Sequence, residues 1–146
     1  MKTGDLAPDF TAVDQTGATV RLSDTLADGP VVLFFYPKAF TTGCTKESCH
    51  FRDLANAFAE VGAQRVGISA DDTSRQAEFD AAYHLGFPLL SDPDRVIAKL
   101  YGVKRPGLLF NKRQTFVIGA DRRVVTVIGT EFDMEAHADA ALAALG

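Results

Sequence analysis

Apolar residues occur along this chain both in short unbroken runs and at helical spacing, and the two patterns alternate. The run at 31–36 is typical of a buried strand, whose side chains are apolar on both faces, and 65–70 is interpreted as a second buried strand. From Thr42 to about Val61 apolar residues recur every three or four positions. This spacing predicts a helix, and Gly62 is suited to end it.

The remaining segments predict shorter elements of both kinds. Helices are expected from the caps at 71–74 to His84, from 92–93 to 101–102, and from Asp133 to Leu145. Extended segments are expected at 9–22, with a turn at 15–17, at 87–90, and in a hairpin of strands 114–118 and 124–128. Alternating strands and helices followed by a hairpin and a helix predict an α/β fold. Its mixed sheet would combine parallel crossovers with an antiparallel hairpin at one side.

Length and composition predict one globular domain spanning residues 1–146. The 146 residues are 47% hydrophobic and 23% charged, with no repeat or low-complexity tract. A net charge of -4 and the lack of a block of like charges argue against a nucleic-acid partner. The first strong apolar run begins at Val31 and is far too short to cross a membrane, so we expect a cytoplasmic location.

The chain has two cysteines, Cys44 and Cys49, directly after the first long strand and at the start of the first long helix. In a reducing compartment a permanent structural disulfide is not expected, so a catalytic, sensing or merely buried role is favoured. Unpaired N–H groups and the helix dipole favour an anion at a helix start, and the thiolate is the reactive form of cysteine. A second thiol nearby can condense with an oxidised first one. The pair predicts a redox-active site, and specifically a peroxidase.

Helix geometry limits how these two thiols can react with each other. In an ideal helix, residues five apart have Cα atoms separated by about 8.7 Å. A disulfide tolerates Cα separations of up to about 7 Å. If Cys44 and Cys49 form a disulfide, the first turns of the helix must therefore unwind, which Thr42 and Gly43 would ease as poor helix formers.

Together these residues resemble the signature of the peroxiredoxins, and most closely the bacterioferritin comigratory protein or peroxiredoxin Q branch. The family pattern of proline, threonine and cysteine is matched by Pro37, Thr41 and Cys44, and its remote arginine by Arg113. The branch often has a second cysteine five positions on, as here. Residues 4–10 and 51–53 also match, so the resemblance covers essentially the whole chain. Thr42 departs from it, since proline is common there, and this affects only the stiffness of the loop.

The resemblance implies a thioredoxin-like fold with an N-terminal β-hairpin extension, and a role for each matched residue. Cys44 would attack the peroxide, and Cys49 would resolve the resulting sulfenic acid as a disulfide. Thr41 would align the O–O bond, Pro37 would shield the sulfur from water, and Arg113 would stabilise the thiolate and the departing oxygen. The expected partner is a thioredoxin-like dithiol protein. No metal, haem or flavin cofactor is needed, because sulfur supplies the electrons.

Local sequence alone leaves other interpretations open. Thr41 could be an ordinary helix cap, and Cys49 a spare thiol on a helix face. Glu47 lies one turn after Cys44, so it could support Arg113 from behind or lie on a solvated face. His50 beside Cys49 does not form a usual zinc spacing. His84 and His137 have no partner motif and are interpreted as structural.

Two other functions and the oligomeric state also remain open. A thiol–disulfide oxidoreductase would usually have two residues between its cysteines rather than four. A redox sensor would signal through unwinding of the helix. A monomer is favoured, although four apolar loop residues could pack in a dimer or line the rim of the cleft. These residues are Phe40, Leu108, Leu109 and Phe110.

Overall fold

In a computed structural model, which describes residues 1–107 and 109–146, seven described strands form one mixed sheet flanked by helices. The strands are β1 (Thr11–Val13), β2 (Thr19–Arg21), β3 (Val31–Phe35), β4 (Gln64–Ser69), β5 (Leu89–Ser91), β6 (Gln114–Ile118) and β7 (Val124–Ile128). The helices are α1 (Leu22–Thr25), α2 (Thr42–Asp53), α3 (Ala55–Glu60), α4 (Thr73–Tyr83), α5 (Val96–Leu100) and α6 (Ala136–Leu145).

The sheet has a parallel centre and an antiparallel hairpin at each side. Its strand order is β2-β1-β5-β4-β3-β6-β7. The parallel pairs are β3 with β4 and β4 with β5, whereas β1 runs antiparallel to β5 and β6 antiparallel to β3. The predicted α/β fold with a mixed sheet and an N-terminal hairpin is confirmed.

Strand β3 shows why the sheet is buried on both faces. Its odd-numbered residues belong to one apolar cluster with α5 and the N-terminal segment. The even-numbered residues and Tyr36 belong to the opposite cluster with α2, α3, α4 and α6. In that second cluster the ring of Phe51 in α2 stacks on Phe34 with centroids 4.2 Å apart. Helix α2 is thus fixed to the central strand by an aromatic pair, whose stacking stabilises the contact beyond simple burial.

The single helix predicted from Thr42 to Val61 is wrong, because the structure divides it at Leu54. Leu54 has φ -93° and ψ 18°, outside the helical range, and α3 begins at the next residue. In an unbroken helix the Phe51 carbonyl would accept from the N–H four residues on. Here Arg65 Nη1 donates to that carbonyl at 2.9 Å. Strand β4 thus supplies the donor that the broken helix lacks.

Two other helices begin later than predicted. Helix α5 begins at Val96 rather than at 92–93, because Arg95 adopts a left-handed conformation with φ 56°. The Asp92 carboxylate instead caps the helix from outside, accepting from the N–H groups of Ile97 at 3.2 Å and Ala98 at 2.9 Å. Helix α6 begins at Ala136 rather than Asp133.

None of the helices in the described part of the chain is long and apolar enough to cross a membrane.

Candidate active site

The loop that carries the sequence motif, residues 36–41, leaves the carboxyl end of β3 and enters α2. Crevices at the carboxyl ends of parallel strands are the usual ligand sites of open α/β sheets. Asp71, which follows the neighbouring β4, accepts from the Ala39 N–H at 2.8 Å and from the Ser69 hydroxyl at 2.6 Å. One carboxylate therefore ties the loop to the adjacent strand, a function that the sequence analysis missed.

Tyr36 anchors the start of this loop inside the protein. Its hydroxyl donates to Gln76 Oε1, and Gln76 Nε2 in turn donates to the Ser69 hydroxyl at 3.0 Å and the Leu90 carbonyl at 2.9 Å. Burial raises the pKa of Tyr36, so the hydroxyl keeps its proton and remains a donor. The loop thus begins from a satisfied polar network between β3 and α4.

Phe40 adopts a left-handed backbone conformation, with φ 66°, just before the helix. For an aromatic residue this conformation costs on the order of 1–3 kcal/mol and persists only where packing enforces it. The centroids of the Phe40 and Phe79 rings are 5.2 Å apart, and the Arg75 guanidinium lies 4.2 Å from the Phe40 centroid. Phe40 is therefore held by α4, and its backbone sets the direction in which the chain enters α2.

Thr41 is the extended residue before α2, with φ -73° and ψ 154°. Its exposed hydroxyl donates to the Lys38 carbonyl at 2.7 Å instead of capping the helix. A hydroxyl has one proton and two lone pairs. Because the proton is directed to Lys38, the Thr41 oxygen is presented as an acceptor at the mouth of the site.

Cys44 is the third residue of α2, and it is fully buried. Arg113 Nη2 donates to its sulfur at 3.2 Å. The sulfur thus lies in the first turn of a helix and directly against a guanidinium, so positive charge faces it from a fixed position.

The register of the sheet explains why a residue 69 positions away in the chain reaches Cys44. In the antiparallel pairing of β6 with β3, Gln114 lies opposite Phe35. Arg113, the residue before β6, is therefore placed beside the end of β3, where the catalytic loop begins. Arg113 as a whole is only 5% exposed, and its Nη1 donates to Glu47 Oε1 at 2.7 Å.

Glu47 is fully buried one turn after Cys44, so it does not lie on a solvated helix face. Burial raises the pKa of this carboxyl to about 8, although the charge and hydrogen bond of Arg113 pull it down. Glu47 fixes the guanidinium in place, and the other end of the guanidinium faces the sulfur. The second carboxyl oxygen of Glu47, Oε2, lies 3.5 Å from His137 Nδ1.

His137 and Thr115 complete this buried cluster and were not predicted as part of a site. His137 Nε2 lies 2.7 Å from the Thr130 carbonyl, which can only accept, so Nε2 carries a proton. Burial lowers the pKa of His137, so the ring is neutral and Nδ1 accepts from the Thr115 hydroxyl at 2.7 Å. Thr115 and Arg113 are two residues apart, which places them on one face of β6. That spacing was the one available signal in the sequence.

Gly43 allows a close approach of two side chains beside Cys44. A Cβ at this position would lie 3.2 Å from Arg113 Nη2 and 3.3 Å from the terminal atoms of Met134. Contacts this short would force both side chains to move. Met134, in the segment before α6, therefore lies against the start of the catalytic helix, another contact without a sequence signal.

Cys49 has different surroundings, although it lies on the same helix. It is half-buried and borders a surface cavity of about 260 Å³ that Lys46, His50 and Glu135 also line. Burial raises the pKa of the Cys49 thiol, with a smaller opposing effect of Arg52. Both cysteines are free thiols in an unbroken α2. At the ideal helical separation of about 8.7 Å between Cα atoms, they are too far apart to bond.

Surface charges join this part of α2 to α6. His50 Nε2 lies 2.7 Å from Asp139 Oδ1, and its Nδ1 lies 3.8 Å from Glu135 Oε2. Lys46 Nζ is 3.7 Å from the other Glu135 oxygen. Across the described residues, His, Cys, Asp and Glu side chains form no group of three suited to hold a metal ion.

Pro37 and two of the apolar loop residues line one surface cavity, whose lining does not include Cys44. Pro37 is half-buried and borders a cavity of about 330 Å³ together with Leu109, Phe110 and Asn111. Leu109 and Phe110 are exposed, whereas Phe40 packs inward on α4. Leu108, also predicted to lie at the rim or in a dimer contact, is outside the described residues.

The fold and this cysteine, arginine and threonine arrangement define the class of thioredoxin-like thiol peroxidases, and comparisons with known proteins agree. The model of the AhpC/TSA family matches residues 3–127 of this chain. The crystal structure of peroxidoxin BcpB from Mycobacterium tuberculosis superposes with a TM-score of 0.97 at 58% identity, covering 99% of this chain and 96% of that one. The structure of peroxiredoxin Q from Xanthomonas campestris superposes with a TM-score of 0.86 at 31% identity, covering 93% of this chain and 89% of that one. Chloroplastic peroxiredoxin Q of Oryza sativa is 42% identical over 137 residues, covering 92% of this chain and 62% of the relative.

The chain belongs to the AhpC/TSA family of peroxiredoxins, as its motifs predicted. It is a peroxiredoxin peroxidase with relatives of the peroxiredoxin Q type, and its two cysteines fit the atypical two-cysteine form. The thioredoxin-like fold implied by the sequence is likewise confirmed.

Proposed function

We propose that this enzyme reduces hydrogen peroxide and organic hydroperoxides through a sulfenic acid at Cys44 and a disulfide between Cys44 and Cys49. A thioredoxin-like dithiol protein would then regenerate both thiols. The observation that carries this proposal is the 3.2 Å contact from Arg113 to a buried sulfur in the first turn of α2.

In the first step, the Cys44 thiolate attacks one peroxide oxygen and the O–O bond breaks. The sulfur becomes a sulfenic acid, and the other oxygen leaves as water or an alcohol after taking up a proton. Arg113 neutralises the thiolate before the attack and the charge on the departing oxygen during it. Because Glu47 holds the guanidinium from behind, this positive charge is in position before the substrate arrives.

Thr41 and Pro37 would position the peroxide. The Thr41 hydroxyl already donates to the Lys38 carbonyl, so its oxygen is suited to accept the O–H of the bound peroxide. That contact would align the O–O bond with the sulfur. Pro37 has no N–H, so beside the sulfur it limits the access of water without competing for hydrogen bonds.

In the second step, the Cys49 sulfur attacks the sulfenic acid, the S–O bond breaks, and water leaves as the disulfide forms. Within the folded helix the raised pKa of Cys49 keeps it a thiol, which is a poor nucleophile. Unwinding of 42–49 brings the sulfurs together and also moves Cys49 into water, where more of it ionises. One conformational change therefore supplies both the geometry and the reactivity of the resolving step.

Two observations support organic hydroperoxides as substrates beside hydrogen peroxide. The apolar side chain of Met134 lies against Gly43 at the start of α2, and Phe110 lies beside Lys38 in the loop that precedes α2. In addition, the bacterioferritin comigratory protein of Xanthomonas campestris, 30% identical to this chain, has an alkyl peroxide reduction activity. A single domain over 1–146 and a monomeric enzyme remain predictions.

Steady-state turnover with a thioredoxin, thioredoxin reductase and NADPH tests this proposal. We expect NADPH oxidation to depend on both enzyme and peroxide, with hydrogen peroxide and cumene hydroperoxide both consumed. A thiol–disulfide oxidoreductase would instead reduce the disulfides of insulin in the absence of peroxide. Insulin reduction without peroxide turnover would contradict the proposal.

A further inference from the structure

We propose that an exposed basic and apolar surface beside the active site is the docking site for the dithiol reductant, and that it selects a reductant whose own active-site face is acidic and partly apolar. We call this the docking surface; its residues are Lys38, Lys104, Leu109, Phe110, Lys112 and Phe132. The inference rests on the proposed function, because it assumes that a protein dithiol reduces the enzyme.

Charge is distributed very unevenly along this acidic chain. Residues 95–113 contain six of its 15 lysines and arginines and none of its 19 aspartates and glutamates. The net charge of -4 therefore conceals a strongly basic segment. Its basic residues alternate with apolar ones, which is why the sequence shows no contiguous block of like charges.

Half of these six basic groups have structural partners, and the other half face solvent. Arg113 pairs with Glu47, Arg105 with Glu131, and Arg95 donates to backbone carbonyls. Lys99, Lys104 and Lys112 are exposed, and among the described residues none of the three has a carboxylate within 4.0 Å. The segment thus presents positive charge that the protein itself does not neutralise.

Large apolar side chains lie among these charges. Leu109 is 61% exposed, Phe110 56% and Phe132 96%. The Lys38 ammonium lies 6.0 Å from the centroid of the Phe110 ring. Aromatic residues are enriched in the cores of protein interfaces, and a group of exposed apolar side chains indicates an interaction site in a way that an isolated one does not.

Arg95 holds the backbone of this segment at two described positions. Its guanidinium donates to the Gly107 carbonyl at 2.5 Å and to the Leu109 carbonyl at 2.7 Å. The Lys112 N–H also donates to the Val103 carbonyl at 2.8 Å. A surface that is ordered before binding loses less conformational entropy when a partner docks.

The docking surface borders the start of α2 on two sides. On one side Lys38 belongs to the catalytic loop and contacts Phe110. On the other, Glu131 accepts from Arg105 and from the Arg113 N–H, which places the neighbouring Phe132 beside the same segment. A protein that approaches the oxidised first turns of α2 therefore meets this surface.

Charge also decides between a reductant and a second copy of this chain. A two-fold dimer through this surface would bring the same patch of lysines together from both subunits, and like charges facing each other are unfavourable. An acidic partner gains from the same lysines, mainly through a faster encounter. The observations therefore favour an acidic protein dithiol over self-association.

The test compares two reductants acting on the preformed disulfide of the enzyme. The first is a thioredoxin of acidic net charge, and the second is dithiothreitol, which is too small to contact the docking surface. Removing two lysines, in K104Q/K112Q, should lower the second-order rate constant with thioredoxin about three- to tenfold at low ionic strength. That difference should shrink in high salt. Removing the aromatic rings, in F110S/F132S, should lower the rate constant at every salt concentration.

The matched control is R21Q/R123Q, which removes the same charge from exposed residues that lie outside the segment 95–113, in β2 and just before β7. This control should react with both reductants as the unmodified enzyme does, and every variant should keep its rate with dithiothreitol. Equal losses with both reductants, no loss with either, or no reduction of the unmodified enzyme by thioredoxin would overturn the docking proposal. So would a dimer in sedimentation that F110S/F132S converts to a monomer.

Failure of the underlying function would look different. If the enzyme does not consume peroxide even with dithiothreitol, the peroxidase cycle itself is wrong. If dithiothreitol supports turnover while the variants respond as the control does, only the docking surface is wrong.

Discussion

Cys44 and Cys49 lie five residues apart on one helix, yet their surroundings differ in almost every respect. Cys44 is fully buried and accepts a hydrogen bond from a guanidinium that the buried Glu47 side chain holds in place. Cys49 is half-buried beside a surface cavity, and burial raises its pKa. The two side chains have the same chemistry, so the different roles that we propose for them rest on these surroundings. Cys44 is suited to react in the folded helix, and Cys49 only after the helix has opened.

The sharpest contrast between the two positions comes from removing each sulfur. Cys44→Ser should reduce peroxide consumption to background, because no other activated thiol is available. Cys49→Ser should consume the first equivalent at the rate of the unmodified enzyme and then stop as a sulfenic acid. Stopped-flow measurement with intact-mass analysis would show this. Equal loss of the first oxidation in both variants would contradict the division of roles.

Arg113→Lys tests whether the fixed geometry at Cys44 matters beyond the charge alone. Lysine keeps the positive charge but cannot direct separate donors to the sulfur and to Glu47 in one plane. We expect the rate of the first oxidation to fall about 10²-fold, as for loss of a preorganised charge-stabilising donor. Arg105→Lys is the control, since its pair with Glu131 lies at the surface, and it should keep most of its rate. Similar rates in the two variants would mean that the guanidinium geometry is unimportant.

Glu47→Gln, a substitution beside Cys44, should change how the free energy of unfolding of the protein depends on pH. The pKa of Glu47 is raised to about 8 from a usual value near 4.5, so between these values the folded state holds a proton that the unfolded state has lost. Its contribution to stability is therefore complete below pH 4.5 and is lost as the pH rises through 8.

Thermal unfolding of the reduced enzyme from pH 5 to 9 measures this effect. The difference between the unmodified enzyme and Glu47→Gln should move in favour of the variant as the pH rises, by an amount on the order of a few kcal/mol. Glu78→Gln, which removes an exposed carboxylate paired with Arg75, should show no such trend. A difference that does not change with pH would mean that Glu47 is ionised throughout.

The smallest expected effect concerns the side of α2 near Cys49. Asp139→Asn weakens the contact from His50 that joins α2 to α6. An exposed pair of this kind contributes about 0.2–1 kcal/mol, so the helix should open more easily and the disulfide should form about two- to fivefold faster. Rapid acid quenching and thiol counting would measure that rate, with Glu78→Gln again as the control. A slower rate in Asp139→Asn would contradict the view that this contact holds the helix closed.

The same contrast explains what could be predicted from sequence. The strands, the long helices and the motif from Pro37 to Cys49 are local, so hydrophobic spacing and the family pattern located them. The break at Leu54 depends on Arg65, a residue of β4, whose side chain donates to the Phe51 carbonyl of α2. Asp71, His137 and Met134 reach the site through the register of the sheet and the packing of α6. No local pattern reports such contacts, and only the motif singled out Arg113.

Mapping the disulfide after rapid mixing with one equivalent of hydrogen peroxide, together with hydrogen exchange over residues 42–49, tests the central claim most directly. The account predicts that two thiols are lost, that peptide mass spectrometry finds a bond between Cys44 and Cys49, and that the amides of 42–49 lose protection as it forms. Loss of both thiols without that bond, or a bond that forms while those amides stay protected, would contradict it.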